Sequence, residues 1–220
     1  MSAAPAPPQA ARAHVLIAVK DLRHAKSRLG PSLTADERAA LTLAMVQDTV
    51  TAAFASTAVH AVTVITPDTV VAAAAAALGA AHFPDRGEDD LNAVLTAAAR
   101  TVGPGRVLAL QGDLPCLSGA ELTAAIAAAR PLRRAVVVDH HGTGTSALIA
   151  ESRDLDPRFG PDSARHHIDS GATALDGHWP GLRLDVDTPD DLAAAAALGP
   201  GSATTRALLS MNHAGSSRGR

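Results

Sequence analysis

A single cysteine, Cys116, occurs in the 220 residues. A disulfide framework and a thiolate metal cluster are therefore both excluded within one chain. Aromatics are almost as scarce, limited to Phe54, Phe83, Phe159 and Trp179, and tyrosine is missing. Stacking modes of nucleic-acid recognition need aromatic platforms, so nucleic acid is not an expected partner. The net charge of -3 supplies no polyanion-binding field, and any phosphate has to be gripped locally. No stretch reaches the roughly 18 apolar residues that cross a bilayer, so no membrane association is expected. The opening MSAAPAPPQAAR lacks the basic start and apolar run of a signal peptide, which makes the cytoplasm the expected compartment.

What the chain has in quantity is Ala, Val and Leu. At 47% hydrophobic and 19% charged residues it reads as globular, with enough length to bury one full core. A domain is expected over 13–199, between loose tails at 1–12 and 200–220. Buried strands are expected at His14–Val19, Val62–Thr66, Ala80–Phe83, Val107–Leu110, Ala135–Val138 and Ser146–Ala150. Helices are expected between them, opened by the capping boxes Thr34–Glu37 and Ser118–Glu121. The first helix should bury Leu43, Val46, Val50 and Phe54 on one face. This β-α-β-α-β order predicts an α/β domain around a doubly wound, mostly parallel mixed sheet.

The segment RVLALQGDLPCL at 106–117 organises the chemistry. Gly112 provides a sharp turn, Pro115 stops the strand, and Asp113 is left at a strand's carboxyl end, where open α/β sheets place ligands. Cys116 has no activating base nearby and reads as a small buried hydrophobe. Lys20, Arg23, Lys26 and Arg28 follow the first strand and suit a phosphate-wrapping loop, although the Walker glycine spacing is absent. Asn92, opening a helix after Asp89 and Asp90, could read a ring edge or a ribose, or the aspartates simply cap that helix. Gly142 to Ser146 resemble an anion-binding nest. His140 and His141 are adjacent, and on extended backbone they would point opposite ways, so two of them on one ion is not expected. Gly160 and Ser163 open a short helix suited to a carboxylate or phosphate. LRLDVD at 182–187 predicts a last strand with Asp185 and Asp187 on one face, two like charges that require a cation. Thr188–Asp191, with Pro189 in the first turn, caps a final helix. Hard oxygen ligands with nearby cations suit Mg²⁺ and phosphoryl or nucleotidyl transfer.

Taken together, KDLRHAKSRLG (20–30), DDLN (89–92), GDLP (112–115), GTGTSAL (142–148), FGPDSARHH (159–167) and DVDTPDDL (185–192) resemble the 2-phospho-L-lactate guanylyltransferase family. Its bacterial branch comprises the phosphoenolpyruvate guanylyltransferases of coenzyme F420 biosynthesis. The resemblance spans about residues 14–198 and implies a nucleotide-diphospho-sugar-transferase-like fold. It implies GTP and a small phosphorylated carboxylic acid as partners, with pyrophosphate as the leaving product; the sequence leaves the choice between monomer and homodimer open. It places Mg²⁺ on Asp113, Asp185 and Asp187, and the phosphorylated acid on Thr145, Gly160 and Ser163. Lys20, Lys26 and Arg28 would face the GTP phosphates, with Lys20, Lys26 and Asp113 as the catalytic set and Asn92 near guanine or ribose. Ala18 stands where family members often have Pro. The rival readings are another nucleotidyltransferase of this fold, of molybdopterin or sugar-phosphate type, and a non-catalytic nucleotide-binding module. A NAD-binding Rossmann protein would need a G-x-G-x-x-G, which follows none of the expected strands.

Overall fold

The computed structural model describes residues 12–30, 32–85 and 90–218. The expected tail at 1–12, apart from Arg12, and the capping role of Asp89 lie outside those residues. The strands are β1 (Ala13–Ala18), β2 (Val59–Thr66), β3 (Ala81–Pro84), β4 (Arg106–Gln111), β5 (Arg134–Val138), β6 (Thr145–Glu151) and β7 (Thr173–Ala174). The helices are α1 (Ala35–Ala55), α2 (Thr69–Ala77), α3 (Leu91–Thr101), α4 (Gly119–Ala129), α5 (Ser163–Asp169), α6 (Pro180–Arg183), α7 (Pro189–Leu198) and α8 (Ser202–Arg218).

One seven-stranded sheet runs in the order β3-β2-β1-β4-β6-β5-β7. β3, β2, β1 and β4 are mutually parallel, whereas β6 is antiparallel to both β4 and β5. This is the mostly parallel mixed sheet that the sequence predicts. The short β7, which pairs beside β5, has no strand-length apolar run to announce it. Side chains alternate across the sheet with a period of two. Val15, Ile17, Leu108 and Leu110 face a core closed by α1, α2 and α4, while Leu16, Val107 and Ala109 face one closed by α3. The chain leaves β1 toward β2 and β3 on one side and returns through α3 to β4 on the other. The carboxyl ends of β1 and β4 therefore flank the point where strand order reverses, the place where such sheets open a crevice.

Three sequence expectations are corrected. The segment 184–187 forms no strand: α6 ends at Arg183, and the following residues lie outside any ladder. Its alternation survives, with Leu184 and Val186 in the core and Asp185 and Asp187 on the cleft side. The Val186 N–H is satisfied by the Asp113 carbonyl at 3.1 Å. Second, 202–218 is helix rather than loose tail. Leu208 and Met211 of α8 pack against the cluster of Leu29, Leu41, Met45 and Val186. The α8 amino end is capped by Asp48 of α1, whose carboxylate accepts from the N–H groups of Ala203 (3.0 Å) and Thr204 (2.7 Å). That cap lies far away in sequence, which is why the local composition did not reveal it. Third, because α1 is covered by the sheet on one side and α8 on another, it buries Leu41, Met45, Val46 and Val50. Phe54 is left 40% exposed.

Asp48→Ala would strand two buried N–H groups, at a cost of about 1–3 kcal/mol. Urea unfolding should show this as a lower midpoint with an unchanged slope. Wild-type stability in the variant would mean that α8 is held by its apolar contacts alone.

Candidate active site

The GDLP turn follows β4 without a positive φ. Gly112 is tightly enclosed there: a Cβ would sit 3.1 Å from Val19 and 3.2 Å from Ile17, so both side chains would have to yield. Thr49 of α1 fixes the turn, its hydroxyl accepting from the Leu114 N–H at 3.2 Å. The acidic segment docks through Val186, and Arg183 secures its start by donating to the Val138 carbonyl (2.6 Å) and the Leu175 carbonyl (2.7 Å). These ties bring Asp113, Asp185 and Asp187 to one wall of a cleft of about 680 Å³ at the switch point. Lys20, Lys26 and Gln111 line the same cleft, whose volume is in the range of ordinary ligand sites.

Lys26 is the cation among these carboxylates. Its Nζ donates to Asp113 and, at 2.7 Å, to Asp187. Burial would lower its pKa, but the two carboxylates outweigh that and hold the ammonium above the usual lysine range. Lys26 thus bridges two of the carboxylates from the wall of the cleft. Lys20 is exposed on the cleft rim. Arg28 is largely exposed, 3.9 Å from Asp187.

One oxygen each of Asp113 and Asp185 is buried without a hydrogen-bond partner. The Asp185 carboxyl is pushed up to about 7, first by burial and then by the charge of Asp113. Three carboxyl groups thus converge on one buried ammonium, with Arg28 at the exposed edge, in a partly dry site. A hard divalent cation with oxygen preference fits that donor set.

The remaining predicted residues divide differently. Asn92 is committed to backbone: its Nδ2 donates to the Phe159 carbonyl (3.0 Å) and its Oδ1 accepts from the Phe159 N–H (2.7 Å). It holds the 159–160 loop against α3, and its own N–H is capped by Asp90 at 2.9 Å. The loop at 142–146 is not an open anion nest, because the chain supplies its own anion. The Asp139 carboxylate accepts from Thr143 (3.0 Å) and Gly144 (2.9 Å). Thr145 and Ser163 are brought together, hydroxyl to hydroxyl at 3.2 Å, and Gly160 takes φ +140° in the preceding loop. Both hydroxyls are buried, and neither lines the 680 Å³ cleft. At the start of α5 the Ala164 N–H is already taken by the Thr143 carbonyl at 3.0 Å.

Some participants escaped the sequence reading. His167 is fully buried and held neutral, its pKa lowered to about 4 by burial and then by Arg134. Because its Nε2 accepts from the Arg158 N–H (2.8 Å), its Nδ1–H must donate to Thr145 (2.9 Å). Gln111, at the end of β4, lines the cleft and donates to the Thr145 carbonyl at 3.3 Å, linking the two groups of residues. His140 and His141 sit on a turn rather than on extended backbone, so their rings stack with centroids 3.8 Å apart. The expectation that they diverge is corrected. Cys116 behaves as expected: half-buried, with its thiol pushed up to about 11 by burial and then by Glu121.

The Asp185 shift fixes a pH dependence. Its folded pKa is raised, so the folded state holds this proton more tightly than the unfolded chain. Its contribution to stability is complete below about pH 4 and lost as pH rises through about 7. Asp185→Asn should flatten that part of a plot of urea midpoint against pH and raise the midpoint at pH 8. An identical profile in the variant would show that the carboxyl is not held neutral by the fold.

A family model described as "Guanylyl transferase CofC like" matches residues 13–214. Phosphoenolpyruvate guanylyltransferase 1 of Rhodococcus jostii (strain RHA1) is 50% identical over 95% of this chain and 98% of its own. Phosphoenolpyruvate guanylyltransferase of Mycobacterium sp. (strain KMS) is 53% identical over 92% of this chain and 94% of its own. Among solved structures, a nucleotide-diphospho-sugar transferase of Desulfovibrio desulfuricans G20 shares the fold, with TM-score 0.68 and 19% identity over 92% of this chain and 95% of that one. Matched along its whole folded length and half-identical to guanylyltransferases, the chain belongs to the guanylyl transferase CofC-like family and is a nucleotidyltransferase.

Proposed function

We propose that the enzyme transfers GMP from GTP to phosphoenolpyruvate, releasing pyrophosphate, in the cytoplasm and as a step toward coenzyme F420. The observation that carries this reading is the pair of buried, unpartnered carboxylate oxygens on Asp113 and Asp185 at the sheet's switch point. The names of the Rhodococcus and Mycobacterium relatives favour phosphoenolpyruvate over 2-phospho-L-lactate.

Asp113, Asp185 and Asp187 are the residues that would hold Mg²⁺. When bound, the ion supplies neutralisation of charge at the α-phosphate and on the departing pyrophosphate. Lys26 keeps Asp113 and Asp187 close together against their mutual repulsion. Lys20 and Arg28, on the exposed rim, provide cations for the triphosphate tail. Thr145, Gly160 and Ser163 would support the acceptor side from behind the cleft, held by the His167 hydrogen bond and by the Asn92 clamp on Phe159.

The acceptor's own phosphate is the nucleophile. Its second pKa is about 6, so it is largely dianionic at neutral pH. An oxygen of that phosphate bonds to the α-phosphorus as the bond to the β-phosphate oxygen breaks, and no proton has to move. No general base is needed, which agrees with the neutral, buried state of His167. Catalysis then consists of alignment and charge neutralisation.

Incubation with GTP, Mg²⁺ and each candidate acid in turn, read by mass spectrometry, should give enolpyruvyl-diphospho-5′-guanosine with phosphoenolpyruvate. Product formed with another acid alone would overturn the assignment of the acceptor. Asp113→Ala should lower pyrophosphate release by at least about 10²-fold with unchanged circular dichroism, the scale seen when one electrostatic group is removed. Full turnover by that variant would remove the proposed metal set.

A further inference from the structure

A second cluster, beyond the three carboxylates, is built from His140, His141 and Asp191. The Nε2 atoms of both histidines converge on one oxygen of Asp191, at 2.9 Å for His140 and 3.1 Å for His141. Asp191 is only 2% exposed, and its other oxygen is fixed by the N–H groups of Asp187 (3.0 Å) and Thr188 (2.7 Å). The oxygen facing the histidines therefore cannot turn away.

Both ring nitrogens of His140 face oxygen acceptors. Nδ1 lies 3.3 Å from the Arg183 carbonyl and 3.5 Å from an Asp185 carboxylate oxygen. Nε2 meets the Asp191 oxygen at 2.9 Å, a place that a proton fills in the metal-free protein and that a metal ion can take over by displacing it. A histidine whose second nitrogen lies against a backbone carbonyl is also the arrangement that orients imidazole for metal binding.

We infer that His140, His141 and Asp191 form a binding site for a divalent transition-metal ion of the Zn²⁺ class, separate from the three-aspartate site. The three donor atoms lie within 4.8 Å of one another. Zinc–ligand bonds of about 2.0–2.1 Å in a tetrahedron place neighbouring donors about 3.3 Å apart, close to the 2.9 and 3.1 Å that separate each histidine nitrogen from the Asp191 oxygen. Two imidazoles and one carboxylate are a borderline donor set that suits Zn²⁺ or Co²⁺. Mg²⁺ instead prefers six oxygens. His141 is half-exposed, which leaves the fourth position open to water or a ligand. The ion would join the turn after β5 to the amino end of α7, and so brace the segment carrying Asp185 and Asp187.

The test uses the full-length protein, stripped with a chelator and titrated with Co²⁺ in excess Mg²⁺. One equivalent should give the visible bands of tetrahedral Co²⁺, displaced by Zn²⁺, and Zn²⁺ should raise the melting temperature. His141→Ala, at a half-exposed position that leaves the fold intact, should abolish both responses, whereas Asp113→Asn should retain them. The inference is overturned by an absence of bands in wild type. It is equally overturned by bands that survive His141→Ala, or by bands that vanish in Asp113→Asn, which would place the ion on the other carboxylates.

Discussion

The structure depends on one electrostatic arrangement, an ammonium held between carboxylates that arrive from separate parts of the chain. Lys26 meets Asp113 and Asp187 at the mouth of the sheet's crevice. It does so from a left-handed backbone conformation, φ 51°, which is uncommon for a residue with a side chain. Such a conformation costs on the order of 1–3 kcal/mol and persists where surrounding contacts determine it. Here the contacts are the two ion pairs and the buried Leu29 that follows in the same loop. Removing one partner from a group of this kind is far more damaging than its net contribution to folding suggests, because it leaves an uncompensated charge.

The fold exists in large part to deliver those charges to one place. β1 and β4 are adjacent and parallel, so the loops leaving them, with Lys20 and Lys26 on one and Asp113 on the other, open side by side. The acidic segment is brought alongside through a single backbone bond from Val186 to Asp113, while Val186 itself anchors in the cluster closed by α8. The carboxyl-terminal helix thus supports the site through the apolar cluster that anchors Val186. Behind the cleft, the chain from Gln111 through Thr145 to Ser163 and His167 fixes two buried hydroxyls. Asn92 holds the neighbouring loop by its backbone.

Much of this was legible in the sequence. The apolar runs were long enough to mark six of the seven strands, and the capping boxes at Thr34, Ser118 and Thr188 are formed as their spacing predicts. The period-two placement of Asp185 and Asp187 held even though the strand did not form, because Leu184 and Val186 between them are buried in the core. What could not be read depends on long-range partners. Asp139 fills the loop that looked like an open nest, and Asn92 spends its amide on Phe159. Asp48 caps a helix more than 150 residues away. The convergence of His140 and His141 was missed for a local reason: the pair sits on a turn, where the alternation rule does not apply.

The central claim is that Asp113, Asp185 and Asp187 form one divalent-cation site. Mn²⁺ titrated into the protein with GTP present, followed by electron paramagnetic resonance, tests it most directly. Bound Mn²⁺ that is lost when either Asp113 or Asp185 is changed to Asn is the result the account predicts. Undiminished binding in both variants would contradict it.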